Sequence, residues 1–98
     1  MNGQIYKAFR VSFTEAWYQL SKAEQDRLLG KVRDAIEKVG GKSIALCDSS
    51  WSSEEWLAFG LEVYPDMAAA KKHTELLAEL NWFRYCKSST LLGTPVTM

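Results

Sequence analysis

One side chain among the 98 residues is of the type whose ordinary pKa lies near neutral pH: His73, the chain's only histidine. An imidazole can serve as general acid or base, and a mostly apolar wall moves its pKa further. At 100° per residue, Ala69, Ala70, His73, Leu76, Leu77 and Leu80 share one arc about 120° wide, with His73 near its centre. The ring is therefore aimed inward. A lone histidine on an apolar face is more often a core residue bonded to a nearby carbonyl or carboxylate than a catalyst, so both readings stay open.

Tyr64, at the end of the strand before this helix, could orient a carbonyl or hydroxyl through its phenol, or simply pack with the phenol reaching water. Arg10 and Glu62 fall on the mixed faces of two strands expected to be neighbours. A salt bridge between them is the plain expectation, because an unpaired charge there is costly. The sharper one is that Arg10 holds a substrate carboxylate. Trp56 and Tyr6 could stack on a ligand ring, with Glu62 and Leu77 completing the wall, or they could merely fill a small core.

Other chemistries lack their residues. With no second histidine and no cysteine at ligand spacing, no metal site is expected. Neither a phosphate-binding glycine loop nor a GxSxG elbow is present, and Ser49, Ser50, Ser52 and Ser53 have no evident base. Cys47 and Cys86 form no CxxC pair and read as reduced, buried small hydrophobes.

The elements that must position these residues follow from periodicity and punctuation. Ile5 to Phe13 places Ile5, Phe9, Val11 and Phe13 on one face, with Lys7 the exception, which is the period of a strand. Thr14 to Leu20 reads as a short turn. Ser21 and Glu24 have capping-box spacing, and the helix they start carries Leu28, Leu29, Val32, Ala35, Ile36 and Val39 on one arc before Gly40-Gly41 stops it. Its central position is Val32, where the second helix has His73. Lys42 to Cys47 reads as a second strand, 48 to 53 as a polar loop, and Glu54 to Tyr64 as a third strand with Leu57, Phe59, Leu61 and Val63 on one face and Trp56, Ala58, Gly60, Glu62 and Tyr64 on the other. Pro65-Asp66 breaks the strand and caps the second helix. Asn81 to Tyr85 ends that helix in an aromatic turn, and Lys87 to Leu92 is a last strand.

Strand, helix, strand, strand, helix, strand is the ferredoxin-like βαββαβ order of the α+β class: a four-stranded antiparallel sheet with both helices on one face, as a single domain over residues 1–98. The first and third strands carry large apolar groups on both faces, so the face without helices needs a cover, most simply a second copy in a two-fold homodimer. Twelve basic and twelve acidic residues with no one-signed block leave no footprint for nucleic acid or anionic membrane. MNGQIYKAFRVSF has too short an apolar core for a secretory signal and no run of ~18 apolar residues suggests a membrane span, so a cytoplasmic protein is expected.

On this topology over residues 5 to 93, the chain resembles the dimeric α+β barrel superfamily, which includes muconolactone isomerase-like and antibiotic-biosynthesis monooxygenase-like proteins. Locally, Leu80-Asn-Trp-Phe-Arg-Tyr85 resembles the leucine-to-aromatic turn before the last strand of muconolactone isomerases. Ala16-Trp17-Tyr-Gln-Leu-Ser21 resembles the segment before the first helix in small members of the group. The resemblance implies a barrel formed across a dimer and a cleft between helices and sheet in each subunit. It would put Trp56, Ala58, Gly60, Glu62 and Tyr64 under the helices, with Ala58 and Gly60 leaving room for a ligand, whereas the opposite assignment, which parity alone leaves open, would put Leu57, Phe59, Leu61 and Val63 there and leave little cavity.

It further implies an enzyme without metal or organic cofactor, acting on a small, largely apolar cyclic metabolite by proton transfer, as isomerase, cyclase or lyase, or by cofactor-free oxygenation. His73 would move the proton, Tyr64 or Arg10 would position an oxygen, and Trp56 with the helix leucines would exclude water. A non-catalytic dimer that binds a small molecule or assembles with a partner is the alternative. Haem oxygenases of the superfamily carry a histidine on the second helix, which His73 resembles in place, but the asparagine of the first strand and the early tryptophan of that helix are missing here.

Overall fold

The computed structural model describes residues 3–97; Met1, Asn2 and Met98, which the expected single domain and the signal-sequence reading include, lie outside the described residues. Four strands, β1 (Ile5–Phe13), β2 (Lys42–Asp48), β3 (Ala58–Tyr64) and β4 (Cys86–Gly93), form one sheet in the order β2-β3-β1-β4, every pairing antiparallel. Two long helices, α2 (Lys22–Lys38) and α3 (Met67–Glu79), pack on one face, joined by the single turns α1 (Glu15–Tyr18) and α4 (Trp82–Tyr85). The ferredoxin-like order expected from the chain is borne out.

The local signals act as expected. Ser21 Oγ accepts the Glu24 N–H at 3.1 Å while Glu24 Oε1 accepts the Ser21 N–H at 2.8 Å, so two donors at the start of α2 are satisfied reciprocally. Gly40 takes a left-handed φ of 77° just past the end of α2, where a side chain would be strained. The Asp66 carboxylate accepts the Ala69 N–H at 2.8 Å and starts α3.

Three strands differ in their bounds from the sequence reading. β3 begins at Ala58, not Glu54, because serines take up the backbone groups upstream of it. Ser49 Oγ donates to the Trp56 carbonyl at 2.8 Å, and Ser53 Oγ accepts the N–H groups of Glu55 and Trp56 at 3.2 and 2.8 Å. Trp56 therefore lies in a loop. β2 continues one residue to Asp48 with a register shift between Ser43 and Ala45, and β4 spans one residue more at each end than expected.

Cross-strand register sorts the side chains between the two faces. The rows Ser43, Glu62, Lys7, Leu92 and Leu46, Gly60, Phe9, Thr90 share the helix side of the sheet, where Lys7, Glu62 and Gly60 on the central strands are covered while Leu46 and Leu92 on the outer strands stay exposed. The row Ala45, Leu61, Ala8, Leu91 lies on the opposite, open face. At one end of the helix-covered face an aromatic core closes the molecule: Phe13 stacks on Trp17 at 4.2 Å, and Trp82 meets both rings edge-on at 6.2 Å, against Ala35, Leu77 and Cys86.

Candidate functional site

Toward the other end of the helix-covered face sits a cluster of ionisable groups away from water. Tyr64 and His73 are the largest fully sealed side chains, 0 % and 2 % exposed, and Lys7 and Glu62 are buried beside them. β1 contributes Lys7, β3 contributes Glu62 and Tyr64, and α3 lowers His73 onto them from above. Tyr64 Oη donates to Glu62 Oε1 at 2.5 Å and stands 2.8 Å from His73 Nδ1. Lys7 Nζ lies 3.3 Å from the same Nδ1. The other ring nitrogen, Nε2, is buried with no hydrogen-bond partner among the described residues.

Burial governs how these groups titrate. Burial first, and the nearby Lys7 charge second, push the His73 imidazolium down to about 4, so the ring is neutral at physiological pH. Burial lowers Lys7 from its ordinary value, partly opposed by the Glu62 charge. Tyr64 is raised far above an ordinary phenol, first by burial and then by its bond to Glu62, so it stays a donor. A neutral imidazole whose Nδ1 is tied to a phenol and whose Nε2 has no partner can take a proton at Nε2.

Of the residues singled out in the sequence, His73, Tyr64 and Glu62 come together here. Leu77 lies one helical turn beyond His73, in the aromatic core. Arg10 does not meet Glu62: its cross-strand partner is Phe59, whereas Glu62 faces Lys7, so the expected salt bridge fails on strand parity. Arg10 points to the open face, donates to Ser89 Oγ at 3.2 Å and lies 5.0 Å from the centre of the Trp56 ring, with Lys87 Nζ 5.5 Å from that centre. Trp56, expected under the helices, is therefore packed against cations of the open side. Tyr6 is also on the open face, lining a cleft of about 370 Å³ with Ala8, Leu61, Leu91 and Pro95.

Lys7 was the missed member. It stands at an inward position of an otherwise apolar alternation, and that inward charge is itself the signal that it needs a buried partner.

The room expected over Gly60 is taken. A Cβ there would stand 2.6 Å from Phe9 Cζ and 2.7 Å from the Ala45 carbonyl oxygen, because the Phe9 ring lies across the strand. A second hollow, of about 190 Å³, opens between α2 and α4 along Leu20, Arg27, Leu28, Lys31 and Tyr85. Neither hollow is lined by Lys7, Glu62, Tyr64 or His73. Nε2 is the atom a haem iron would bind, yet it is sealed under α3 with Phe9 closing the space beside Gly60. The residues as arranged do not fit a haem. Among the described residues no three of histidine, cysteine, aspartate and glutamate gather to hold a metal ion.

No family model and no curated protein matches the sequence. Solved structures do match. A protein of unknown function from Rhodopseudomonas palustris superposes with a TM-score of 0.69 at 18% identity, over 100% of this chain and 86% of its own. A provisionally assigned chlorite dismutase superposes at 0.74 and 21% identity over 99% of this chain, which spans only 47% of that protein. They share a fold. SnoaB, a cofactor-independent oxygenase from Streptomyces nogalater, superposes at 0.56 with 11% identity, over 98% of this chain and 96% of its own. Such low identity extends to the ferredoxin-like fold and no further. No helix of the described residues is long and apolar enough to cross a membrane.

Proposed function

We propose that this chain is a homodimeric enzyme that binds a small, largely apolar cyclic molecule and removes or relocates a proton on it without metal or organic cofactor. The observation that carries this reading is the buried, unpartnered Nε2 of His73, on a neutral ring whose Nδ1 stands 2.8 Å from Tyr64 Oη, which in turn bonds Glu62. Buried polar atoms are normally satisfied, and an unsatisfied one calls for a specific explanation. A nitrogen reserved for a substrate proton is one. Reaching Nε2 requires the seal to open, and the side chain expected to move is Phe9, which closes the space over Gly60 two residues along β1 from Lys7. Abstraction of a proton from carbon is the step that isomerisation, cyclisation and cofactor-free oxygenation share, and SnoaB shows that the fold hosts the last of these.

The open sheet face supports the dimer. Leu91 is 75 % and Phe59 46 % exposed there, beside Leu61, Ala8 and Tyr6. A second copy would bury that row. The absence of the four clustered residues from either hollow favours a second reading, a dimeric binding or assembly protein in which His73 is a core residue.

Exchange of carbon-bound hydrogen separates the two. Cyclic ketones, lactones and phenols are incubated with the protein in D2O, and deuterium uptake is followed by mass. The enzyme reading expects exchange of at least one of them, slowed about 100-fold in His73→Gln with binding retained. Exchange equally fast in His73→Gln, or none above buffer, supports the binding protein.

A further inference from the structure

Three nitrogen and oxygen centres in the cluster compete for too few hydrogens. Tyr64 has one hydroxyl hydrogen but two short contacts, 2.5 Å to Glu62 Oε1 and 2.8 Å to His73 Nδ1. With the ring neutral, only two arrangements place a hydrogen in both. In the first, Nδ1–H donates to Tyr64 Oη, Tyr64 donates to an ionised Glu62, and Nε2 is bare. In the second, a protonated Glu62 donates to Tyr64 Oη, Tyr64 donates to Nδ1, and the ring hydrogen sits on Nε2. The two differ by one proton.

We infer that the proton His73 takes from a substrate does not stay on the imidazole but comes to rest on Glu62, with Tyr64 as the link. This rests on His73 being the base. Nε2 bonds to the incoming proton, whose former electron pair stays on the substrate carbon. Nδ1 passes its hydrogen to Tyr64 Oη, and Tyr64 passes its own to Glu62 Oε1. One proton enters and one carboxylate becomes a carboxylic acid, while the ring ends neutral with its hydrogen moved from Nδ1 to Nε2. Running the steps backward returns the proton to the product.

The surroundings favour this route over an imidazolium. Lys7 Nζ is 3.3 Å from Nδ1, the longest of the three contacts, so a cationic ring would face a buried ammonium. In the second arrangement Nδ1 has lost its hydrogen, so the Lys7 ammonium no longer faces an N–H there. The groups facing the ring are Lys7 from β1 and Glu62 and Tyr64 from β3. Neither α2 nor β4 brings a charged group into hydrogen-bonding range of it among the described residues.

Because the chain has a single histidine, its two ring nitrogens can be read directly by 15N NMR of the intact labelled protein, with infrared difference spectra reporting the carboxyl group. The resting protein is expected to carry hydrogen on Nδ1 with Nε2 bare. On acidification the hydrogen should appear on Nε2 while the ring stays neutral, in step with a protonated carboxyl band that Glu62→Gln removes. In Tyr64→Phe the ring should become an imidazolium instead. Hydrogen on Nε2 at rest, or an imidazolium as the first acid product of the unmodified protein, overturns the relay. The unmodified protein decides this even if a variant fails to fold. No substrate is involved, so a relay seen without deuterium exchange would count against the enzyme and not against the relay.

Discussion

The two faces of the sheet reverse the usual distribution of side chains. Beneath the helices, Lys7, Glu62, Tyr64 and His73 are kept from water, whereas on the open face Leu91, Phe59, Leu61 and Tyr6 meet it. Both arrangements cost free energy in an isolated subunit: an ionisable group sealed in protein loses hydration, and an apolar row in water forfeits about 25 cal/mol per Å² of burial. A 98-residue chain has little stability to spare. The contrast teaches that the two faces carry different costs, sealed ionisable groups on one and exposed apolar side chains on the other.

The largest expected effect breaks the open face. Leu61→Arg places like charges across a two-fold contact, at several kcal/mol per dimer, and should weaken association more than about 100-fold. Sedimentation is then expected to show a dimer for the unmodified chain and a folded monomer for the variant. An unchanged mass would mean that this face is not the contact.

On the helix-covered face, Gly60→Ala drives a methyl group into the Phe9 ring and the Ala45 carbonyl oxygen, the second of which is backbone and gives least. A loss of about 3 kcal/mol in chemical denaturation is expected, and Phe9→Ala in the same chain should recover part of it. The same change on the open face, Ala8→Val, should cost far less, because its side chain is exposed.

The smallest effect sharpens the comparison through pH. Burial holds proton uptake at His73 down to about 4, below the ordinary 6.5, wherever in the cluster that proton settles, so between those values the unfolded chain holds the proton and the fold does not. The stabilisation is therefore complete above about pH 6.5 and is lost as pH falls through 4, on the order of 2 kcal/mol in all. Denaturation midpoints measured across that window should slope for the unmodified chain and flatten in His73→Gln. Substituting the exposed Lys87 of the open side should leave the slope in place.

Much of this was legible in the chain. Ser21 with Glu24, Gly40 and Pro65-Asp66 mark helix ends by local chemistry that needs no tertiary context, and alternation put Tyr64, Glu62, Gly60 and Ala58 on one face. The inward turn of His73 was readable from α3 alone. Lys7 was not, because an inward charge looks like a break in pattern until its partner across the sheet is known. Trp56 was misplaced because serine side chains in the preceding loop end the ladder early and turn the indole to the other side. The hollow over Gly60 could not be judged from residue sizes along β3, since the ring that fills it comes from β1.

The reactivity of the single imidazole tests most directly whether the sealed Nε2 is a working base. Diethyl pyrocarbonate acylates a neutral ring nitrogen, and its rate of reaction with the native protein can be compared with the rate of global unfolding measured in the same buffer. Labelling faster than unfolding, and faster still in Phe9→Ala, is expected if the site opens within the fold. Labelling only at the unfolding rate in both chains would make His73 a core residue and remove the catalytic reading.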